Sequence, residues 1–203
     1  NLASHNTGGI LVFDLPDLPP QGGHHIRVFD NKSIDNDTDN FAPEGNIVGE
    51  VPRGTGIIIM ANSDVEIFDN LMSGNGTVNL SIVSYGDETD DPNYYPHPKN
   101  IQVHGNTYGP SGFDPDIETG DLAKALFEIS GGNMPDIFWD GIVPLSQIMT
   151  TEKAKGNLLG FQTRSYVYSC VRTCSFACVP EFEDRASDSK VMVGSAAPRK
   201  AAW

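Results

Sequence analysis

The sequence predicts an all-β fold: a single-stranded parallel β-helix, or solenoid, of at least three coils with a C-terminal cap. Two repeated columns and the spacing of turn residues carry that prediction. In the first column an alternating apolar run ends in Asn three times: Ile26, Val28 and Asn31, then Val65, Ile67 and Asn70, then Ile101, Val103 and Asn106. A second column precedes each of these, as Gly9-Ile10-Leu11-Val12, Gly56-Ile57-Ile58-Ile59 and Asn79-Leu80-Ser81-Ile82. The 21 Gly and 14 Pro of the 203 residues cluster between the apolar runs, which favours a turn-rich β protein.

Each element follows from elementary geometry. Arg27, Glu66 and Gln102 alternate with the apolar positions and point away from them if the runs are strands with a period of two. Asn recurs because its amide can bond the backbone of a tight corner, and stacked copies can bond one another. Asn36 and Asn75, each five residues past a ladder Asn, predict a second corner of the same kind. From Ile57 to Leu80 is 23 residues, the size of one coil; the longer repeats are read as coils with loops inserted at corners. Such a unit cannot bury its apolar face alone, so coils must stack. A β-sandwich or propeller would need hairpin turns, and Asn-Gly occurs once, at Asn75-Gly76.

The charge is uneven. The net is −14, but residues 1–150 hold 22 acidic and 5 basic side chains, while residues 151–203 hold 5 and 8 and all three cysteines. An acidic body argues against nucleic acid as a partner, since neutralising phosphate needs a basic surface. The division expected is coils over 1–112, a cap over 113–150, and a tail of different composition over 151–203. The cap would include a helix through "LAKALFEI" and the aromatic "NMPDIFWDG". Cys170, Cys174 and Cys178 fall at C-x3-C-x3-C, which matches neither zinc pairs nor a haem-attachment motif. No apolar stretch approaches the ~20 residues of a membrane helix. The chain shows no initiator Met or leader pattern, which reads as a removed leader or a fragment.

The "I-x-V-x-x-N" and "G-I-x-I" patterns resemble right-handed parallel β-helix proteins of the pectate-lyase-like superfamily. More narrowly, "GGILVFDLP", "HIRVFDN", "GTGIIIMAN" and "YYPHPKNIQVHGN" are similar to a secreted bacterial branch of parallel β-helix repeat proteins. The resemblance covers about residues 1–140. It implies a secreted or periplasmic setting, with a lipid anchor where the leader is of the lipoprotein type, and c-type cytochromes as frequent genomic neighbours. The superfamily's uronate lyases use calcium with an Arg or Lys as base. Its hydrolases need strand-borne Asp clusters and "GHG", and its alginate epimerases "DPHE"; none of these motifs is here.

The corner between the two columns is minimal in the middle coil (Ala61, Asn62, Ser63) and long in its neighbours: "DLPDLPPQGGH" before, "SYGDETDDPNYYPHPK" after. Two long loops flanking a short one predict an acidic notch over Asn62. Asp14 and Asp17 would line one wall, and Asp87, Glu88, Asp90, Asp91, Tyr94, Tyr95 and His97 the other. Asp87, Glu88, Asp90 and Asp91 are the candidate ligands for Ca2+, a hard cation that takes oxygen donors. Asn62, Tyr94, Tyr95 and His97 are the candidate contacts for a polysaccharide or oligosaccharide. If the protein is an enzyme, Tyr95, His97 and Lys99 are the candidates for lyase-like acid–base work. The acidic stretch "GFDPDIETGD" reads as structural, with Asp116 capping a helix, and His104 as packing in the slot of Phe29 and Phe68. The four N-x-S/T sequons, at Asn31, Asn36, Asn75 and Asn79, read as turn chemistry.

A further expectation concerns Leu11, Phe13, Ile58, Met60 and Val83, an outward apolar strip that needs a cover. The insertion at 37–52, with Phe41, Ile47 and Val48, is the first candidate. The competing function is a non-catalytic periplasmic scaffold that docks a protein, such as a c-type cytochrome, through that strip.

Overall fold

The computed structural model describes residues 1–150 except 44, 121, 122, 125, 126 and 129, together with the strand positions 158–161 and 167–169. Cys170, Cys174 and Cys178, and most of the tail, lie outside the described residues.

Three sheets run side by side. The first holds β1 (Leu2–Ser4), β4 (Lys32–Ile34), β7 (Leu71–Ser73) and β10 (Thr107–Tyr108). The second holds β2 (Gly8–Phe13), β5 (Thr55–Met60), β8 (Val78–Val83) and β11 (Ile137–Trp139), then β13 (Leu158–Phe161) and β14 (Val167–Ser169). The third holds β3 (His24–Phe29), β6 (Ser63–Phe68), β9 (Lys99–His104) and β12 (Ile148–Thr150). Every pairing is parallel except β13 with β14. The chain visits first, second and third sheet in turn, four times over, so each strand lies beside its counterpart one coil away.

The register is the one the columns predict. Ile10 pairs with Ile57, Ile57 with Leu80 and Leu80 with Ile137; Ile26, Val65, Ile101 and Ile148 do the same in the third sheet. Residues at even spacing turn inward and form one continuous core, in which Ile57, Ile59, Ile67, Leu80, Ile82, Ile101 and Trp139 are fully buried. Stacking therefore removes from water the apolar side that no single coil could hide.

Corners are built from left-handed residues followed by Asn. Asp30, Asp69 and Gly105 have φ of 54°, 54° and 67°, and each precedes a ladder Asn. The Asn70 side-chain oxygen accepts from the backbone N–H of Asn31 at 3.1 Å and from its amide at 3.0 Å; Asn106 serves Asn70 in the same way at 3.0 and 2.9 Å. Asn1 extends the ladder by donating to Asn31 at 2.9 Å. The second ladder runs Asn6, Asn36, Asn75, Asn79 and ends on the Asp136 carboxylate. These bonds satisfy backbone donors that leave the strands at each corner. All four sequon asparagines are buried in the ladders, which places their amides out of reach of modification in the folded chain.

One expectation about residues 113–150 changes. "DIFW" and "QIMT" do not close the solenoid; they supply β11 and β12, strands of a fourth coil. Ile137 and Trp139 extend the inward columns, and a buried strand reads as a short apolar run whether it sits mid-stack or at an end. Backbone at Ala123, Lys124, Phe127 and Glu128 is helical, and Phe127 packs with Met134 against the outer side of the second sheet.

That outer side is a second core. Ile58, Met60, Val78 and Val83 are buried there with Tyr94, Met134 and Phe138, and Leu11, Phe13, Ile47, Tyr85 and Phe127 pack around them. The apolar strip is thus covered by the chain's own loops. Of the insertion residues expected to cover it, Ile47 does so, whereas Phe41 is 85% exposed.

Candidate functional site

The expected notch over Asn62 is filled. Residues 84–98, between β8 and β9, cross the short corner and meet residues 14–23 on its far side. Tyr94 donates its hydroxyl to the backbone carbonyl of Asp14 at 2.7 Å. The Asp91 carboxylate accepts the backbone N–H of Asp17 at 2.8 Å, the Gln21 amide, and the N–H of Asn93 at 2.9 Å. These bonds hold the Asp91 carboxyl below its ordinary range, the Gln21 amide contributing most. Asn62 is 2% exposed, its amide turned back to the Met60 carbonyl at 2.7 Å, with Gly23 packed against its side-chain oxygen.

Loop lengths alone suggested two separate walls. The bridge forms because Tyr94 and Asp91 offer an apolar ring and an acceptor to a loop whose N–H groups need partners. Asp14 is not a wall residue either. Its carboxylate is buried and receives the N–H groups of Leu15, Gly22 and Gly23 at 3.1, 2.6 and 3.3 Å, so it organises its own loop.

The remaining candidates divide by exposure. Asp87, Glu88 and Asp90 face solvent, and Asp87 lies toward Tyr85 and Glu50. Burial raises the Tyr85 phenol and the Glu50 carboxyl, and the Asp87 charge adds to both. Tyr94 is buried, and that burial raises its phenol far above the ordinary value. Tyr95 is 56% exposed and meets the His97 ring edge-to-face at 5.4 Å. His97 is half-buried, its Nδ1 without a hydrogen-bond partner among the described residues, and desolvation lowers its pKa. Lys99 is exposed at the start of β9.

The calcium set does not fit. Asp91, the least exposed of the four carboxylates, is committed to three N–H donors, and a cation would have to displace them. Among the described residues no three His, Cys, Asp or Glu side chains are gathered closely enough to hold a metal ion.

What the structure leaves open is the outer face of the third sheet. Phe29, Phe68 and His104 stack with ring centroids 5.0 and 5.2 Å apart and planes within 11°. Beside them Arg27 pairs with Glu66 at 2.9 Å, and the His104 Nε2 lies 3.0 Å from the other Glu66 oxygen. The Arg27 guanidinium also lies 5.2 Å from the Phe29 ring centre and 4.8 Å from that of Phe68. His104, then Arg27, lower the Glu66 carboxyl below its usual range. Gln102 continues the face on β9 and Met149 on β12, while Tyr95 stands four residues before β9. The Arg27–Glu66 pair and the packing role of His104 are as the register predicts.

Sequence reasoning missed one other recess. Residues 39–53 and 114–120 enclose about 550 Å³, with Asp39, Glu50, Arg53, Asp114, Asp116 and Glu118 among its lining. Arg53 Nη1 holds Asp37 at 2.8 Å and Asp114 at 2.9 Å, which ties the insertion to the later loop. Asp116 is buried and accepts from the Arg53 N–H at 3.0 Å and the Thr119 N–H at 3.3 Å, so its role is structural, but it fixes the turn at 117–119 and Arg53 instead of capping the helix the sequence suggested. No signal paired these segments, which are 61 residues apart at Arg53 and Asp114.

The chain matches no family model, no curated protein and no solved structure.

Proposed function

We propose that the chain is a right-handed parallel β-helix of the pectate-lyase-like kind, acting outside the cytoplasm, that binds an extracellular glycan along the outer face of the third sheet. The observation that supports this is the uncovered pair of columns on that face, Arg27–Glu66–Gln102 beside Phe29–Phe68–His104, with the exposed Tyr95 four residues before β9. Repeated polar and aromatic groups on a flat, rigid, regularly spaced surface suit a ligand that itself repeats. Aromatic groups offer apolar contact for sugar rings, while Arg27 and Gln102 offer hydrogen-bond donors.

Binding is the reading, rather than cleavage. The Tyr95 and His97 rings meet edge-to-face and the His97 Nδ1 is buried, so the two do not form an acid–base pair facing this surface. The competing scaffold reading loses its surface, because Ile58 and Met60 are 3% exposed beneath the chain's own loops.

Affinity electrophoresis against a panel of neutral and acidic polysaccharides tests the proposal. At least one polymer should retard the protein. Arg27→Ala and Tyr95→Ala should each weaken retardation several-fold while leaving the melting temperature within about 2 °C, as expected of exposed positions. A panel that never retards the wild type, or variants retarded as strongly as wild type, would overturn it.

A further inference from the structure

Residues 84–98 are fastened at two ends by different chemistry. Toward the first coil the fastening is hydrogen bonding, from Tyr94 to Asp14 and from Asp17 and Gln21 to Asp91. Toward the fourth coil it is a buried polar cluster. Asp140, which follows β11, is 8% exposed; its carboxylate accepts the N–H of Ser84 and, at 3.0 Å, that of Ile142. The Ser84 hydroxyl is 1% exposed as a residue and lies beside the same carboxylate without reaching hydrogen-bond geometry. His97 lies within electrostatic reach of Asp140, and its Nδ1 is buried and unpartnered among the described residues.

We propose that residues 84–98 form an acid-released strap over the corner between the second and third sheets, with His97 as the sensing group.

What an added proton would meet decides whether the strap holds. A neutral imidazole is tolerated in the corner; an imidazolium there loses much of its hydration, and the Nδ1 that would carry the proton has no hydrogen-bond acceptor among the described residues. Among the described residues Asp140 is the one charged side chain acting on His97, and its attraction is outweighed by desolvation. Tyr95, from the strap itself, contributes an uncharged ring contact.

The sign follows. With the strap closed, His97 binds its proton less readily than in water, so opening takes up a proton. Closure is fully favoured above the ordinary histidine value and weakens as pH falls through it. Asp140 works in the opposite sense at lower pH. Burial raises its carboxyl, so the closed state holds that proton more readily and regains some stability once it is bound. Release therefore belongs to the mildly acidic range just below the ordinary histidine value. It would uncover Asn62 and the part of the second core under Tyr85 and Tyr94. The inference is independent of what the third-sheet face binds.

Amide hydrogen exchange on the full chain at pH 7.5 and 5.5, corrected for intrinsic rates, reads it directly. Protection at Tyr85, whose N–H bonds the Pro96 carbonyl, and at Tyr94 should fall several-fold on acidification. Leu71, which bonds Asn31 across the ladder corner, should not change. His97→Gln keeps a donor and acceptor but cannot charge, and should show equal protection at both pH values. In case that variant folds poorly, the His97 ring proton in the wild type gives a second reading by NMR, and should titrate below the ordinary histidine value. Unchanged strap protection in the wild type, a wild-type fall that persists in His97→Gln, or a His97 titration at or above the ordinary value would each overturn the proposal.

Discussion

Tyr94 reaches across 80 positions of sequence to donate its hydroxyl to the Asp14 carbonyl at 2.7 Å, which joins the loop of the third coil to that of the first over the corner of the second. Its ring meanwhile lies in the second core, edge-to-face with Tyr85 at 5.5 Å. One side chain thus seals both the corner and the apolar flank.

Removing only the hydroxyl separates those roles. Tyr94→Phe should keep the ring packing but leave the Asp14 carbonyl without this donor, costing about 1–3 kcal/mol in a urea unfolding series. Tyr94→Ala should cost about 3–5 kcal/mol, because it adds a cavity in the second core. Equal losses for the two would mean the ring contributes little.

Gly56 and Asn75 are a second such pair. A Cβ at Gly56 would lie 2.6 Å from the Asn75 amide nitrogen and 2.4 Å from the Asn79 carbonyl oxygen, the latter a backbone atom that cannot swing aside. Gly56→Ala should therefore destabilise by the upper end of about 1–3 kcal/mol. Gly22→Ala, at φ +73° with no atom within 4 Å, should cost only left-handed strain, about 1–2 kcal/mol. Thermal melts of both variants check the ordering, which fails if Gly22→Ala is the worse.

Ile58→Asp places an ionisable group in the second core, where Ile58 is 3% exposed. The expected result is loss of the cooperative unfolding transition in circular dichroism, since a buried unpaired carboxylate costs several kcal/mol. A folded, fully soluble variant would show that this flank is looser than its packing implies and would return it to consideration as a docking surface.

Calcium at millimolar concentration should move the melting temperature by less than about 1 °C, because a ligand stabilises only through a site that the native state presents. A larger rise, abolished by Asp90→Asn together with Asp91→Asn, would show that the exposed carboxylates gather around the ion after all.

The two columns and the Asn ladder were readable because they are periodic and local: stacking brings like positions together, so repetition in sequence becomes adjacency in space. Leu80 pairs with Ile57 because both fill the same inward slot. Asn79 replaces Gly9 and Gly56 in its column, and its amide joins the ladder that those glycines make room for. The fourth coil was harder to read. Residues 109–136 separate β10 from β11, and "IFW" alone does not distinguish a buried strand from a closing segment.

The candidate site was another matter. Loop lengths correctly placed two long loops on either side of Asn62, but length says nothing about whether loops touch. That was decided by Tyr94, Asp91, Asp17 and Gln21 finding one another, and by Arg53 gathering Asp37 and Asp114, contacts between positions with no shared period.

By itself the sequence determined the repeat, the strand register and the need to stack, because hydrophobic periodicity and corner chemistry act within a coil or between equivalent positions of neighbouring coils. Only the tertiary structure decided that the notch is closed, the apolar strip covered and the third-sheet face left open. Those outcomes depend on how non-repeating loops satisfy their own backbone groups and bury their own apolar side chains, a competition settled in three dimensions.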